Sequence, residues 1–101
     1  MGKIDENKEP ITAMFANALK DMEKVVDFGG QKHGYGSWKD PDNPSLQRKA
    51  NFASINRHIS QGFCCDSRDL DTGVHHYLHA ACRLLMEYER KVRGIPYSPS
   101  L

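Results

Sequence analysis

Apolar residues along this chain recur at three- and four-residue spacing in two strong stretches and one weaker one. Ile11, Met14, Phe15, Ala18, Leu19, Met22, Val25 and Val26 make one stripe. It predicts an amphipathic helix from about Pro10 to Phe28. Pro10 suits a first turn, and the "FGG" at 28–30 reads as the helix end, because glycine readily takes a left-handed terminus. The third stretch carries Val74, Tyr77, Leu78, Ala81, Leu84, Leu85, Tyr88 and Val92 at the same period. It predicts a helix capped by Thr72, ended by Gly94 and stopped by Pro96. Between them a helix from about Pro44 to Ser60, capped by Asn43, has a split pattern. Phe52, Ile55 and Ile59 lie on one side, and Leu46, Ala50 and Ala53 on another. Gln47, Asn51, Ser54 and His58 form a polar row between these sides.

The segment "GGQKHGYGSWKDPDN" joins the first two helices. Its glycines, proline and aspartates forbid a regular element. Its large side chains, Tyr35 and Trp38 among them, predict a loop that is nevertheless ordered. The expected fold is mostly α: a three-helix chain with a long ordered loop between helices one and two, completing a helical bundle by oligomerisation. Residues 1–9 are expected to be a flexible N-terminus, 10–94 a single helical domain, and 95–101 a loose tail.

Composition changes this picture little. A chain of 101 residues is one small domain, and 39% hydrophobic with 27% charged residues is ordinary for a globular protein. A net charge of +1 excludes binding to nucleic acid or membranes by bulk charge. No apolar run approaches the ~20 residues of a membrane span, and the charged start "MGKIDENKEP" lacks a signal-peptide core. A cytoplasmic protein is expected. Cys64, Cys65 and Cys82 are odd in number and lack zinc-knuckle spacing, so free thiols are expected.

The densest chemistry lies in "DLDTGVHHYLHAA", residues 69–81. On a helical wheel His76 and His79 fall opposite the apolar stripe, together with Arg83 and Arg90. Either they sit on a wet helix face, or His76, His79 and Arg83 line a polar cleft against another element. In the second case His58, on the polar row of helix two, is the natural partner. Asp69 and Asp71 precede helix three, where the helix dipole favours carboxylates. Carboxylates suit Mg²⁺ or Mn²⁺, imidazoles suit transition metals or proton transfer, and guanidinium groups suit phosphate oxygens. Together these groups fit metal-assisted phosphoanhydride chemistry. Trp38 and Tyr35 can stack on a base or anchor their loop. Glu23 and Asp27 can pair with Lys20 and Lys24 or hold a cation.

Four blocks in order carry a resemblance. "FGGQKHGYGSW" is similar to F-G-x-x-K-Y-G-x-x-N-W through Phe28, Gly29, Lys32, Gly34 and Trp38. "RHI" carries Arg57 and His58. "DLDTG" is similar to D-P-E-S-G through Asp69, Asp71 and Gly73. "HYLHAA" is similar to H-L-A-H-A through His76, His79 and Ala80. Over roughly residues 20–92 the chain resembles the phage and bacterial dATP/dGTP diphosphohydrolase N-terminal domain family, a group similar to MazG-type nucleotide pyrophosphohydrolases.

The resemblance implies a helical domain that hydrolyses purine deoxynucleoside triphosphates, with Mg²⁺ or Mn²⁺, to a monophosphate and pyrophosphate in a bacterial or phage-infected cytosol. It implies that Asp69 and Asp71 hold the metal or orient water. His58, His76 and His79 would bind phosphate or metal or shuttle a proton. Lys32 and Arg57 would neutralise phosphates, joined by Arg83 on the wheel reading alone, and Trp38 would stack on the base or support the loop. His33, Ser37, Leu70 and Asp71 depart from the family pattern, and Asp71 is one methylene shorter than the expected glutamate. The departures keep two alternatives open: a non-catalytic nucleotide-binding module, such as a phage sponge for a nucleotide immune signal, and a ligand-free helical adaptor.

Overall fold

A computed structural model describes residues 8–64 and 67–99. The expected N-terminal flexibility at 1–7 and the thiol of Cys65 lie outside the described residues. The chain is helical: α1 (Ile11–Met14), α2 (Ala16–His33), α3 (Arg48–Cys64) and α4 (His76–Val92). Phe15 bends the first helix into α1 and α2, but Phe15 N–H still reaches the Ile11 carbonyl and Leu19 N–H the Phe15 carbonyl. Helix α4 packs against both α2 and α3, which barely touch each other.

The first helix runs past Phe28, through Gly29 and Gly30, to His33. Gly30 is there for close approach rather than for termination: a Cβ at this position would overlap the Tyr35 ring. The terminus is Gly34, at φ 97°, whose N–H closes onto the Gly30 carbonyl. Pro44 does not begin α3 but a separate 3₁₀ turn, Pro44–Leu46, with Asn43 Oδ1 accepting from Ser45 N at 3.0 Å. The helix proper starts at Arg48 and runs four residues beyond Ser60. The cap of α4 is His75, whose Nδ1 accepts from Tyr77 N–H at 3.0 Å, and not Thr72. Gly94, at φ 72°, ends α4 as expected. Its N–H bonds to Lys91 and that of Ile95 to Arg90, so two orphan carbonyls are satisfied.

The polar faces are packed and much of the apolar surface is bare. Gln47, Asn51, Ser54 and His58 are all buried, and the last three lie on α3. On α4, His76, Ala80, Glu87 and Arg90 are buried. Small Ser54 and Ala80 allow close approach, and the larger groups pair. Asn51, fully buried, accepts from Arg83 Nη1 at 3.0 Å. A buried polar group costs little once it is hydrogen-bonded. By contrast Phe52, Ile59, Tyr77, Leu84, Leu85, Tyr88 and Val92 are exposed, together with Ile11, Met14 and Phe15 of the first helix. These are the stripes that the expected oligomer would cover. Ile55 and Leu46 alone of the two expected apolar sides of helix two are buried.

Two clamps order the long loop. The Tyr35 hydroxyl donates to Asp27 at 2.7 Å, and Arg90 Nη1 donates to the carbonyls of Trp38 and Asp40 at 2.8 and 2.9 Å. The tail is not loose as far as Ser98. Tyr97 donates to buried Glu87, lies under the Arg48 and Lys91 cations, and is followed by Ser98 N–H on Gln47 Oε1 at 2.8 Å. The Tyr97→Phe substitution is expected to cost about 1 kcal/mol, because it removes the hydroxyl bond to buried Glu87 and leaves that carboxylate the Lys91 ion pair at 3.6 Å. Urea unfolding of the two chains measures this; equal midpoints would show the tail to be ornamental.

Candidate functional site

The segment before α4 folds as a tight turn because its first acid caps it. Asp69 Oδ1 accepts from the backbone N–H groups of Asp71 and Thr72 at 2.8 and 3.0 Å. Gly73, at φ 72°, closes the turn onto the Asp69 carbonyl, and the nearly inaccessible Val74 anchors it in the core. This turn presents Asp69 and Thr72 to the first turns of α4. Thr72 Oγ1 meets His79 Nε2 at 2.7 Å, and Asp69 Oδ1 lies 3.9 Å from the same nitrogen.

His58 completes the cluster from α3. Its Nδ1 lies 2.9 Å from His76 Nδ1, and its ring stacks on that of His79 with centroids 4.8 Å apart and planes 18° from parallel. His76 is 7% exposed and His79 is half-buried, so the wet-face reading of these histidines is overturned. The wheel placed them correctly opposite the stripe. It did not show that this polar side is the one packed inward.

Charge follows from the packing. Burial, then His79, Arg57, His76 and Arg83, push the His58 imidazole down to about 4. Burial also lowers His79, although the Asp69 carboxylate pulls the other way. Burial raises Asp69, but the Thr72 and Asp71 N–H groups with His79 and His76 more than offset it, leaving a net lowered value. Burial and neighbouring Arg57 lower Arg83. Arg57 donates to Ser54 Oγ, and Arg83 to the Ser45 carbonyl and Asn51 Oδ1. Among the described residues neither guanidinium pairs with a carboxylate. Two adjacent cations without a counter-ion favour an anion between them.

A cleft of about 380 Å³ gathers these groups, and Lys32, Trp38, Arg57, His58, Asp69, Asp71, His79 and Arg83 line it. His76 stands behind His58, on a second cleft shared with Asp69 and Asp71. One donor atom from each of His58, Asp69 and His79 lies within 4.8 Å of the others, and this is the group among the described residues able to share an ion. Of the expected Asp69–Asp71 metal pair, Asp69 belongs to this group, whereas Asp71 is exposed and gives Asp69 a backbone N–H. Glu23 and Asp27 form no such group, and Asp27 serves Tyr35. Trp38 lines the cleft with Arg93 stacked over its ring at 5.0 Å, so it anchors the loop as well. Cys82 is buried, with its thiol pushed up to about 11 by burial, and is inert packing.

Sequence reasoning missed Thr72, which it spent on helix capping. The aspartate three residues before it was the signal for a side-chain-capped turn. It also ended the first helix at Gly29 and Gly30, which lie within α2 and line the cleft.

A profile of the family described as "dATP/dGTP diphosphohydrolase, N-terminal" matches residues 1–97. A curated relative, the "dATP/dGTP diphosphohydrolase" of Salmonella phage PMBT28, is 26% identical over 83 residues. The match covers 82% of this chain and 27% of that protein, so the chain spans about a quarter of the relative's length. No solved structure matches.

Proposed function

The chain belongs to the dATP/dGTP diphosphohydrolase N-terminal family, and we propose that its cleft binds a purine deoxynucleoside triphosphate and hydrolyses it between the α- and β-phosphates. The observation that carries this reading is the unpaired Arg57–Arg83 couple beside the His58–Asp69–His79 group in one cleft. The cleft volume lies within the range that encloses small ligands.

In this reading Arg57 and Arg83 take the phosphate oxygens, with Lys32 at the rim, and offset charge that grows as the phosphoanhydride bond breaks. His58, Asp69 and His79 are the residues that would hold a divalent cation. Such an ion, when bound, would polarise a phosphoryl oxygen and lower the pKa of a water. Water adds to the α-phosphorus and the bond to the bridging oxygen breaks. The monophosphate and pyrophosphate leave, and the water's proton passes to Asp71, the exposed carboxylate on the cleft wall, and then to solvent. Trp38 stands at the cleft for the base.

A second reading has one observation in its favour. Asp71, which stands where the family pattern has a longer glutamate, lies outside the group able to share an ion, and this favours a nucleotide-binding module without turnover. Incubating the chain with each dNTP and Mg²⁺ or Mn²⁺, then assaying pyrophosphate, separates the two. Pyrophosphate from a purine dNTP is expected. Tight binding of one nucleotide with no product would leave the binding module, and neither binding nor product would leave a helical adaptor.

A further inference from the structure

We propose that His58, His79 and Asp69 form a binding site for a first-row transition-metal ion in preference to Mg²⁺, and that His76 is the positioning residue that orients His58. What the ion does for a nucleotide rests on the preceding reading. Whether it binds does not.

The donor set argues for the ion class. Mg²⁺ takes oxygen ligands, keeps several waters and is held through carboxylates or phosphates. Two imidazoles and one carboxylate, with room left for water, suit Mn²⁺, Fe²⁺, Co²⁺, Ni²⁺ or Zn²⁺ instead. The carboxylate expected to make the site oxygen-rich, that of Asp71, lies outside the group.

The surroundings argue that the imidazoles are ready. A ligating histidine must be neutral, and His58 is buried with its Nδ1 engaged by the imidazole of His76. The 2.9 Å contact between His58 Nδ1 and His76 Nδ1 needs one N–H and one lone pair. When His58 donates, its Nε2 is left unprotonated and able to ligate. His76 then plays the part that a carboxylate or carbonyl plays behind many metal-bound histidines, fixing tautomer and ring orientation. Its position for this is held from the main chain, where His76 N–H donates to the Ser67 carbonyl at 2.7 Å.

Binding asks for a small rearrangement. Ligand atoms about 2.1 Å from one ion lie roughly 3–3.4 Å apart, whereas the three donors here are spread within 4.8 Å. They must draw together by about 1 Å, and the Thr72 hydroxyl must release His79 Nε2 if that nitrogen ligates. Asp69 Oδ1 holds the Asp71 and Thr72 N–H groups, so the turn with its exposed Leu70 and Asp71 must move together with that carboxylate.

The test uses the full chain, stripped with chelator and without nucleotide. Calorimetry with ZnCl₂, CoCl₂, MnCl₂ and MgCl₂ should show one Zn²⁺ or Co²⁺ per chain, bound about 100-fold or more tighter than Mg²⁺. Co²⁺ should give visible d–d bands of a low-coordinate, imidazole-containing site. His58→Ala and His79→Ala should abolish this binding. His76→Ala should weaken it by about 10–100-fold and leave one ion per chain. His75→Asn, which keeps an acceptor for the α4 cap, should leave it unchanged.

Should an alanine variant fail to fold, the wild-type NMR spectrum decides, because Zn²⁺ should shift the ring resonances of His58 and His79 and not those of His33 or His75. No ion bound more tightly than Mg²⁺, or a shift centred on His33 or His75, overturns the proposal. Pyrophosphate release with Mg²⁺ alone, in a chain that ignores Zn²⁺ and Co²⁺, sinks this inference and leaves the nucleotide reading. Tight Zn²⁺ binding without turnover does the reverse.

Discussion

Asp69→Asn is expected to lower turnover of a purine dNTP by on the order of 10²–10³-fold, the scale on which losing one transition-state electrostatic group acts. It should do so while leaving the chain folded. The substitution divides the two jobs of this side chain. As a cap, Asp69 accepts two backbone N–H bonds through one oxygen, and an asparagine carbonyl can accept both. As a charge, it is the only carboxylate in the cluster that can share an ion, and asparagine removes that.

The structural loss is then the charge-assisted part of two exposed-to-half-buried hydrogen bonds, about 1 kcal/mol, or a fall in Tm of roughly 4–8 °C for a domain of this size. The Asp69 carboxylate also opposes the effect of burial on His79, so the variant's His79 should be still harder to protonate. Steady-state pyrophosphate release with parallel thermal melts makes the measurement. A variant with wild-type kcat would remove Asp69 from the chemistry and leave it a turn-former.

The apolar period gave the helices and the polar remainder gave the site, but each was legible only in part. Periodicity finds helices because a 3.6-residue repeat must show in any amphipathic one. It cannot say which side of a helix faces inward when a polar row is dense enough to satisfy itself. Here Asn51 meets Arg83 and His58 meets His76. The polar sides therefore pack between α3 and α4, while Tyr77, Leu84, Leu85 and Tyr88 stay outside. Helix ends failed for a related reason. The signals at Gly29, Pro44 and Thr72 are local, but the positions that they mark were claimed by tertiary needs. A ring lies against Gly30, a separate turn starts at Pro44, and Thr72 bonds to His79.

The candidate residues are gathered in space, but their roles were not legible. Eight of the nine singled out from the sequence line one cleft, and the ninth, His76, touches its wall from behind. Residue type, order and helical period were enough to gather them, since the four blocks carry eight and the wheel carries Arg83. Role depends on burial and on which atom faces which, and no spacing encodes that. Asp71 shows the gap. Two positions from Asp69 in an extended strand it would share a face, but in a turn capped by Asp69 its backbone points at that acid. Arg90 shows it from the other side. Read as a companion of His76 on one polar face, it is instead a clamp on the carbonyls of the loop that forms the far wall.

Acidification from pH 7 to pH 4 is expected to remove on the order of 3 kcal/mol of stability from the metal-free chain, mostly through His58. Its folded pKa lies near 4 against an ordinary 6.5. Between those values the unfolded chain takes up a proton that the folded chain refuses, so stability rises with pH across the window. It is complete above about 6.5, falls through the interval and levels off below about 4. Two and a half pKa units at 1.36 kcal/mol each set the scale. His79, also lowered, adds in the same direction. Asp69 does not contribute in this window. Its lowered pKa keeps its share of stability above 3.8 and surrenders it only as the pH falls through the folded value.

The groups facing His58 make the refusal strong: His76, His79 and Arg83 from α4 and Arg57 beside it on α3, with Asp69 the carboxylate within 4.8 Å of the His58 and His79 donor atoms. Urea unfolding in chelator at pH 7.5, 5.5 and 4.5 measures the loss directly. His58→Gln, which cannot titrate, should start below the wild type at pH 7.5 and lose much less on acidification, so that the two curves converge near pH 4. A wild-type stability that is flat between pH 7.5 and 4.5 would mean that His58 already carries its proton in the folded chain. Its contact with His76 would then have to be a charged one.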